Sequence, residues 1–149
     1  KHSIELLSQK AGEGKTDRRG QTYYVFPTPE AVAAMSEEEL KACKLGYRWK
    51  YIHAAARDVV EGRLDLEALQ GMEQQQALAR LVELFGVGEK VASCVLLYGL
   101  HHMNAFPVDV WVKRILANEY PGGYPYEKYS PYNGIYQQYM FAYYRKYES

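Results

Sequence analysis

Lys90, Asp109 and Cys94 are the residues whose types and spacing can do chemistry in this chain. Lys90 stands just after Leu84-Phe85-Gly86-Val87-Gly88-Glu89, a glycine-bearing turn between two helical patterns. A lysine in the first turn of a helix meets the positive end of the dipole, which disfavours a cation and favours the free amine, the nucleophilic form. Glu89 opposes that effect, but neighbours on a helix point about 100° apart. Cys94 lies one turn on, on the face of Lys90. A pocket at that face has an amine at its floor and a polarizable thiol on its wall. Asp109 closes Phe106-Pro107-Val108-Asp109 and precedes an apolar helical run. A rigidly held carboxylate facing an amine can stabilise positive charge or move a proton. Each residue also has a plain structural use: Lys90 as a phosphate contact of the turn, Cys94 as a small buried hydrophobe, Asp109 as a helix cap.

The elements that must position these groups are helical. Leu78, Leu81, Val82 and Phe85 recur at helical spacing, and Val91, Cys94, Val95 and Tyr98 resume the period beyond Gly86 and Gly88, giving a helix-hairpin-helix over about 75–100. Backbone N–H groups in such a turn, with the positive helix end behind them, can hold a phosphate without reading bases. The same glycines also suit a tight turn between two core helices. Earlier in the chain a first helix from Ile4 is expected to end near Gly12, Lys15–Gly20 to be a loop, and Thr22–Phe26 a brief extended piece. Thr28-Pro29-Glu30 opens a helix. Ser36 to Glu39 forms a capping box whose helix is expected to stop at Gly46. Tyr47–Val60 reads as a longer helix with Tyr51, Ile52, Ala55 and Val59 on one face, and Leu64–Leu69 as a short turn. Glu73–Phe85, Val110–Ala117 and Tyr136–Tyr147 complete the set, the last with Tyr136, Tyr139, Met140 and Tyr143 on one side. No alternating strand pattern competes. The fold class is all-α, with many short helices in one domain over residues 1–149.

Composition narrows the classes. Hydrophobic content of 48% and charged content of 24% are those of a soluble globular domain. No apolar run reaches the roughly 18 residues of a membrane span, and no signal-peptide pattern opens the chain. Cys43 and Cys94 make neither a disulfide framework nor a four-cysteine iron–sulfur site, so a reducing cytoplasm is expected. Lys+Arg and Asp+Glu are both 18, so bulk charge gives no attraction to nucleic acid, and any such contact is local. Tyrosine is frequent, 15 residues, and concentrated after Tyr98. The first residue is Lys1, and the chain is expected to be a portion of a larger protein.

Leu84-Phe85-Gly86-Val87-Gly88-Glu89-Lys90-Val91-Ala92, followed by Pro107-Val108-Asp109, resembles the signature of the helix-hairpin-helix DNA glycosylases with a glycine/proline-rich loop and aspartate. Lysine at position 90 points to the bifunctional branch. Cys94, together with Leu45-Gly46-Tyr47-Arg48, is similar to the 8-oxoguanine DNA glycosylase/abasic lyases, in a bacterial-type form without their N-terminal antiparallel β domain. The resemblance implies a base-excision repair enzyme acting on double-stranded DNA that holds 8-oxoguanine or an abasic site, with the nucleotide flipped from the duplex. By the same resemblance Lys90 attacks C1′ and forms a Schiff base, and Asp109 stabilises the developing cation and assists proton transfer. Cys94 and Pro107 border the base, while Tyr47 and Arg48 fill the vacated space and contact the opposite base. Gly86, Gly88 and Val91 hold phosphate through the backbone. Trp111 takes the phosphate-contact position where the family often has histidine. Counting from Gly134-Ile135-Tyr136 places Phe141 where the family carries a base-pocket glutamine, with Gln137 and Gln138 close by. Carbonyls of Val82, Leu84 and Val87 match a cation position of the hairpin, but no cofactor is implied. The expected partners are DNA and the parent protein's N-terminal domain, the expected state a monomer, and the expected location the cytoplasm, at a bacterial nucleoid. Three alternatives stay open: the same chemistry on another damaged or mismatched base, a non-catalytic DNA-binding module, and a helical protein-interaction domain.

Overall fold

The computed structural model describes residues 1–147. The chain divides into two compact units, Lys1–Glu67 and Ala68–Ser149.

In the first unit, helix α1 (His2–Ala11) leads into a two-stranded hairpin, β1 (Gly14–Thr16) and β2 (Thr22–Tyr24). The strands are antiparallel, with Lys15 opposite Tyr23. Lys15 and Thr16 therefore lie in a strand, where the sequence suggests a loop. Every strand residue is exposed, so no alternation marks them; Asp17 Oδ1 instead closes the turn by accepting from the N–H groups of Arg19 and Gln21. Helix α2 (Pro29–Ala33) starts at Thr28, whose Oγ1 accepts from Ala31 N–H, and α3 (Glu37–Ala42) starts at the Ser36–Glu39 capping box. Helix α3 stops before Gly46: Lys44 already has φ +55°, and Gly46, at φ +58°, begins a separate 3-10 turn, Gly46–Arg48. Helix α4 (Trp49–Val60) follows, then α5 (Leu66–Gln70). Leu7, Val32, Leu40, Cys43 and Ala56 form the core of this unit, with Trp49 and Ile52 packed against it.

The second unit takes in the last residues of α5 and then α6 (Gln74–Val82), which is shorter than the expected run to Phe85, because Leu84 N–H and Val87 N–H already bond back to Leu81 and Leu84 carbonyls in tight turns. Helices α7 (Glu89–Tyr98), α8 (Val110–Glu119), α9 (Tyr126–Tyr129) and α10 (Asn133–Tyr147) complete it. Helix α6 packs on α7 and α8 on α10. The core is Ala77, Leu81, Ala92, Leu96, Leu97, Ala105, Val112 and Ile115. Two faces read from helical spacing turn outward. Val91, Val95 and Tyr98 are exposed; α7 buries Ala92, Leu96 and Leu97 instead. Tyr136, Tyr139 and Tyr143 also lie on an exposed side of α10, which buries Gly134 and Gln137. Phe106 and Tyr120, Tyr126 and Tyr129 surround Tyr124, with ring centroids between 4.7 and 5.6 Å from it. Among the described residues no helix is long and apolar enough to cross a membrane.

Candidate active site

Helix α7 presents two faces because its apolar residues sit on one side. With Ala92, Leu96 and Leu97 buried, Lys90, Cys94 and Tyr98 share another face at successive turns. That face lines a cavity of about 220 Å³. Pro107 and Asp109 line it from the segment before α8, and Gln137, Gln138 and Phe141 from α10.

Three local contacts fix these walls. Asp109 is the N-cap of α8: its Oδ1 accepts from Val112 N–H at 2.9 Å, while Val112 and Ile115 pin the helix in the core. Gly134 sets the start of α10. Its N–H donates to the Met103 carbonyl at 2.8 Å, and a Cβ there would lie 2.2 Å from the Ala105 carbonyl oxygen and 2.6 Å from a Leu97 methyl. Only glycine allows this close approach. One turn along, the buried Gln137 donates from Nε2 to the Pro107 carbonyl at 3.1 Å.

Lys90 has no ion-pair partner among the described residues and lines the cavity. Asp109 supplies a fixed carboxylate on the wall of the same cavity. An amine without an ion-pair partner and a carboxylate on the wall of one cavity can carry out nucleophilic displacement at an electrophilic carbon. Partial desolvation pushes the Tyr98 hydroxyl above the ordinary phenol range, the neighbouring Cys94 adds to this, and a hydrogen bond with the Gln138 side chain pulls the other way.

The hairpin presents a different surface. Gly86 has φ +81°, a conformation that L side chains adopt only with strain. Gly88 is the N-cap of α7 with an extended backbone, and a Cβ there would meet nothing within 4 Å. No side chain caps α7, so its first-turn N–H groups, Val91 among them, face outward beside exposed Gly86 and Gly88. The Leu84 carbonyl, expected as a cation ligand with those of Val82 and Val87, accepts from Val87 N–H at 3.0 Å. Among the described residues no group of three or more His, Cys, Asp or Glu could hold a metal ion.

The structure thus gathers Lys90, Cys94, Pro107, Asp109 and Phe141 around one cavity. Trp111 stands apart in the first turn of α8, 39% exposed, with the Arg114 guanidinium 5.4 Å from its ring centre. Tyr47 and Arg48 belong to the first unit, on its exposed 3-10 turn, with the Arg48 guanidinium 5.0 Å from the Tyr47 ring centre. Tyr98 is not singled out by the sequence, although it follows Lys90 and Cys94 at helical spacing, because its spacing also fits the apolar run of Val91 and Val95. The cavity also holds a carboxamide: Gln137 lines it one turn before Phe141, so the aromatic ring does not replace the amide there.

The family described as "HhH-GPD superfamily base excision DNA repair protein" matches residues 5–121. A probable N-glycosylase/DNA lyase of Methanothermobacter thermautotrophicus is 35% identical over 139 residues, 80% of this chain and 44% of that protein. The Clostridium acetobutylicum 8-oxoguanine glycosylase/lyase, in complex with double-stranded DNA containing cytosine opposite 8-oxoguanine, superposes with a TM-score of 0.88 at 31% identity, covering 97% of this chain and 53% of that one. The 3-methyladenine DNA glycosylase of Archaeoglobus fulgidus gives 0.75 at 26% identity, over 96% of this chain and 51% of that one. The chain spans about half the length of these relatives.

Proposed function

The chain belongs to the HhH-GPD superfamily of base excision DNA repair proteins, and on that premise we propose that it carries the catalytic centre of an N-glycosylase/DNA lyase that removes 8-oxoguanine from duplex DNA. One observation carries the reading: Lys90, without an ion-pair partner, and Asp109 line the same cavity. A non-catalytic DNA-binding module needs neither group there. Similarity to two proteins named as N-glycosylase/DNA lyase and 8-oxoguanine glycosylase/lyase supports both the reaction and the base.

In this reading the damaged nucleotide leaves the stack and its base occupies the cavity, at an unstacking cost of a few kcal/mol. Lys90 Nζ attacks C1′ as the glycosidic bond breaks; the base leaves with the bonding electrons and takes up a proton. Asp109 stabilises the positive charge that develops on the sugar. Loss of a proton from Nζ and opening of the sugar ring give the Schiff base. Removal of a C2′ proton then expels the 3′ phosphate by β-elimination. Cys94, Pro107 and Phe141 border the base, and the Gln137 carboxamide meets its polar edge. The outward N–H groups of the Gly86–Val91 hairpin hold a backbone phosphate. Trp111 is assigned a further backbone contact, and Tyr47 and Arg48 the space opposite the flipped base.

A second reading, excision of an alkylated purine such as 3-methyladenine, is favoured by the likeness to the Archaeoglobus fulgidus enzyme. Borohydride trapping separates these possibilities. The chain is incubated with duplexes holding 8-oxoguanine opposite cytosine, 3-methyladenine or an abasic site. Covalent adducts on the 8-oxoguanine and abasic duplexes, both lost in Lys90→Gln, are the expected result. An adduct on the abasic duplex with base release only from 3-methyladenine moves the substrate to alkylated bases. Absence of any adduct and of any base release, with DNA binding retained, refutes the enzyme reading.

A further inference from the structure

The Gln137 carboxamide faces both ways at once. Its Nε2 is engaged by the Pro107 carbonyl at 3.1 Å. Because the amide is planar, fixing the nitrogen fixes the direction of Oε1. That oxygen accepts a hydrogen bond from Nε2 of Gln138, the next residue on α10. The Gln138 side chain is in turn hydrogen-bonded to the Tyr98 hydroxyl on α7. The bonds therefore run from Tyr98 through Gln138 and Gln137 to Pro107, joining both helices to the segment that leads into Asp109. A carboxamide rotated by half a turn about its last bond presents the opposite polarity. Helix geometry alone does not choose between the two senses, and the neighbours at the two ends of this chain of bonds do.

We infer that Gln138, held by Tyr98, is a positioning and specificity-determining residue: it fixes Gln137 with its oxygen as the free acceptor, so that the cavity selects bases whose edge carries N–H donors. This rests on the glycosylase reading of the same cavity. Pro107 takes one N–H of Gln137 and Gln138 one lone pair of its Oε1, so one donor and one acceptor site remain, and the inference assigns the acceptor to the base. A base lacking a donor at that edge leaves a buried acceptor unpaired, the kind of mismatch that hydrogen-bonding sites reject strongly.

The test uses the full chain, Gln138→Ala and Tyr98→Phe. Excision is compared for 8-oxoguanine and for 8-oxohypoxanthine, which lacks the exocyclic 2-amino donor, in the same duplex. Strand cleavage at an abasic site, which places no base in the cavity, is measured beside them. The expected result is a roughly tenfold fall in the ratio of kcat/KM between the two bases for Gln138→Ala, the scale of one hydrogen bond. A smaller fall is expected for Tyr98→Phe, which keeps the ring and deletes only the hydroxyl. Abasic-site cleavage changes by a smaller factor than the base ratio in both. An unchanged ratio in both variants overturns the inference, and so does a parallel loss of abasic-site cleavage, which marks a merely structural role. A wild-type chain inactive on all three duplexes overturns the glycosylase reading, and the inference with it.

Discussion

Asp109 has one observed role and one proposed, and two substitutions pull them apart. Its Oδ1 accepts from Val112 N–H at 2.9 Å, which caps α8. Replacing a capping aspartate by alanine costs about 1 kcal/mol, within a range of roughly 0.5–2, whereas asparagine caps about as well as aspartate. Loss of the negative charge at the positive end of the helix adds roughly 0.3–1 kcal/mol to both. Asp109→Ala is therefore expected to be less stable than Asp109→Asn by about 1 kcal/mol. Catalysis divides differently, since both variants lose the carboxylate that faces the cavity. Removing one well-placed electrostatic group from a reaction centre typically costs about 10²–10³ in rate. Base excision should thus fall by that factor in both variants alike, with DNA affinity largely retained. Urea denaturation at neutral pH gives the stability difference, and single-turnover excision on duplex DNA gives the rates. Wild-type excision by Asp109→Asn would refute the electrostatic role. Equal stability of the two variants would refute the capping role.

Three further substitutions test other parts of the structure. Gly86→Ala should lose about 1 kcal/mol or more, because φ +81° puts a Cβ in a strained conformation; Gly88→Ala, with open space at its Cβ, should fold normally but bind duplex DNA more weakly in fluorescence anisotropy if the hairpin holds a phosphate as proposed. Tyr124→Phe should stabilise the protein by about 1 kcal/mol at neutral pH, since the hydroxyl is buried without a partner among the described residues while the ring contacts remain. Burial pushes the Tyr124 hydroxyl up from 10.0 to about 12, with the surrounding tyrosines adding to it. The unfolded chain therefore releases that proton first, and wild-type stability falls as pH rises from about 10 toward 12 by up to about 1.4 kcal/mol per pH unit. The advantage of Tyr124→Phe in urea midpoint should widen between pH 7 and pH 11, and a variant less stable than wild type at both values would show that the hydroxyl is satisfied.

What the sequence made legible is what depends on near neighbours. The caps at Thr28, Ser36 and Asp109 are each a side chain bonding an N–H three residues on, and each stands where the residue types place it. Lys90 and Cys94 share a face because helical spacing demands it. The faces that meet other elements were harder. Val91 and Val95 are as apolar as Leu96 and Leu97, so periodicity alone could not say which side of α7 enters the core. Gln137 is buried because the Pro107 carbonyl, distant in sequence, satisfies its amide. The hairpin of β1 and β2 is solvated on all positions and is held by Asp17, so its strands carried no hydrophobic pattern.

The close seat of Gly134 against the Met103 and Ala105 carbonyls bears on how such a fold can change its diet. Helix α10 is registered by backbone against backbone, and Asp109 by its own helix. Neither relies on the side chains at 98, 138 and 141. Those positions can accumulate substitutions while the amine and the carboxylate stay in place. Selectivity can thereby change without moving the amine and the carboxylate, which suits a scaffold shared with proteins named for an oxidised and for an alkylated purine.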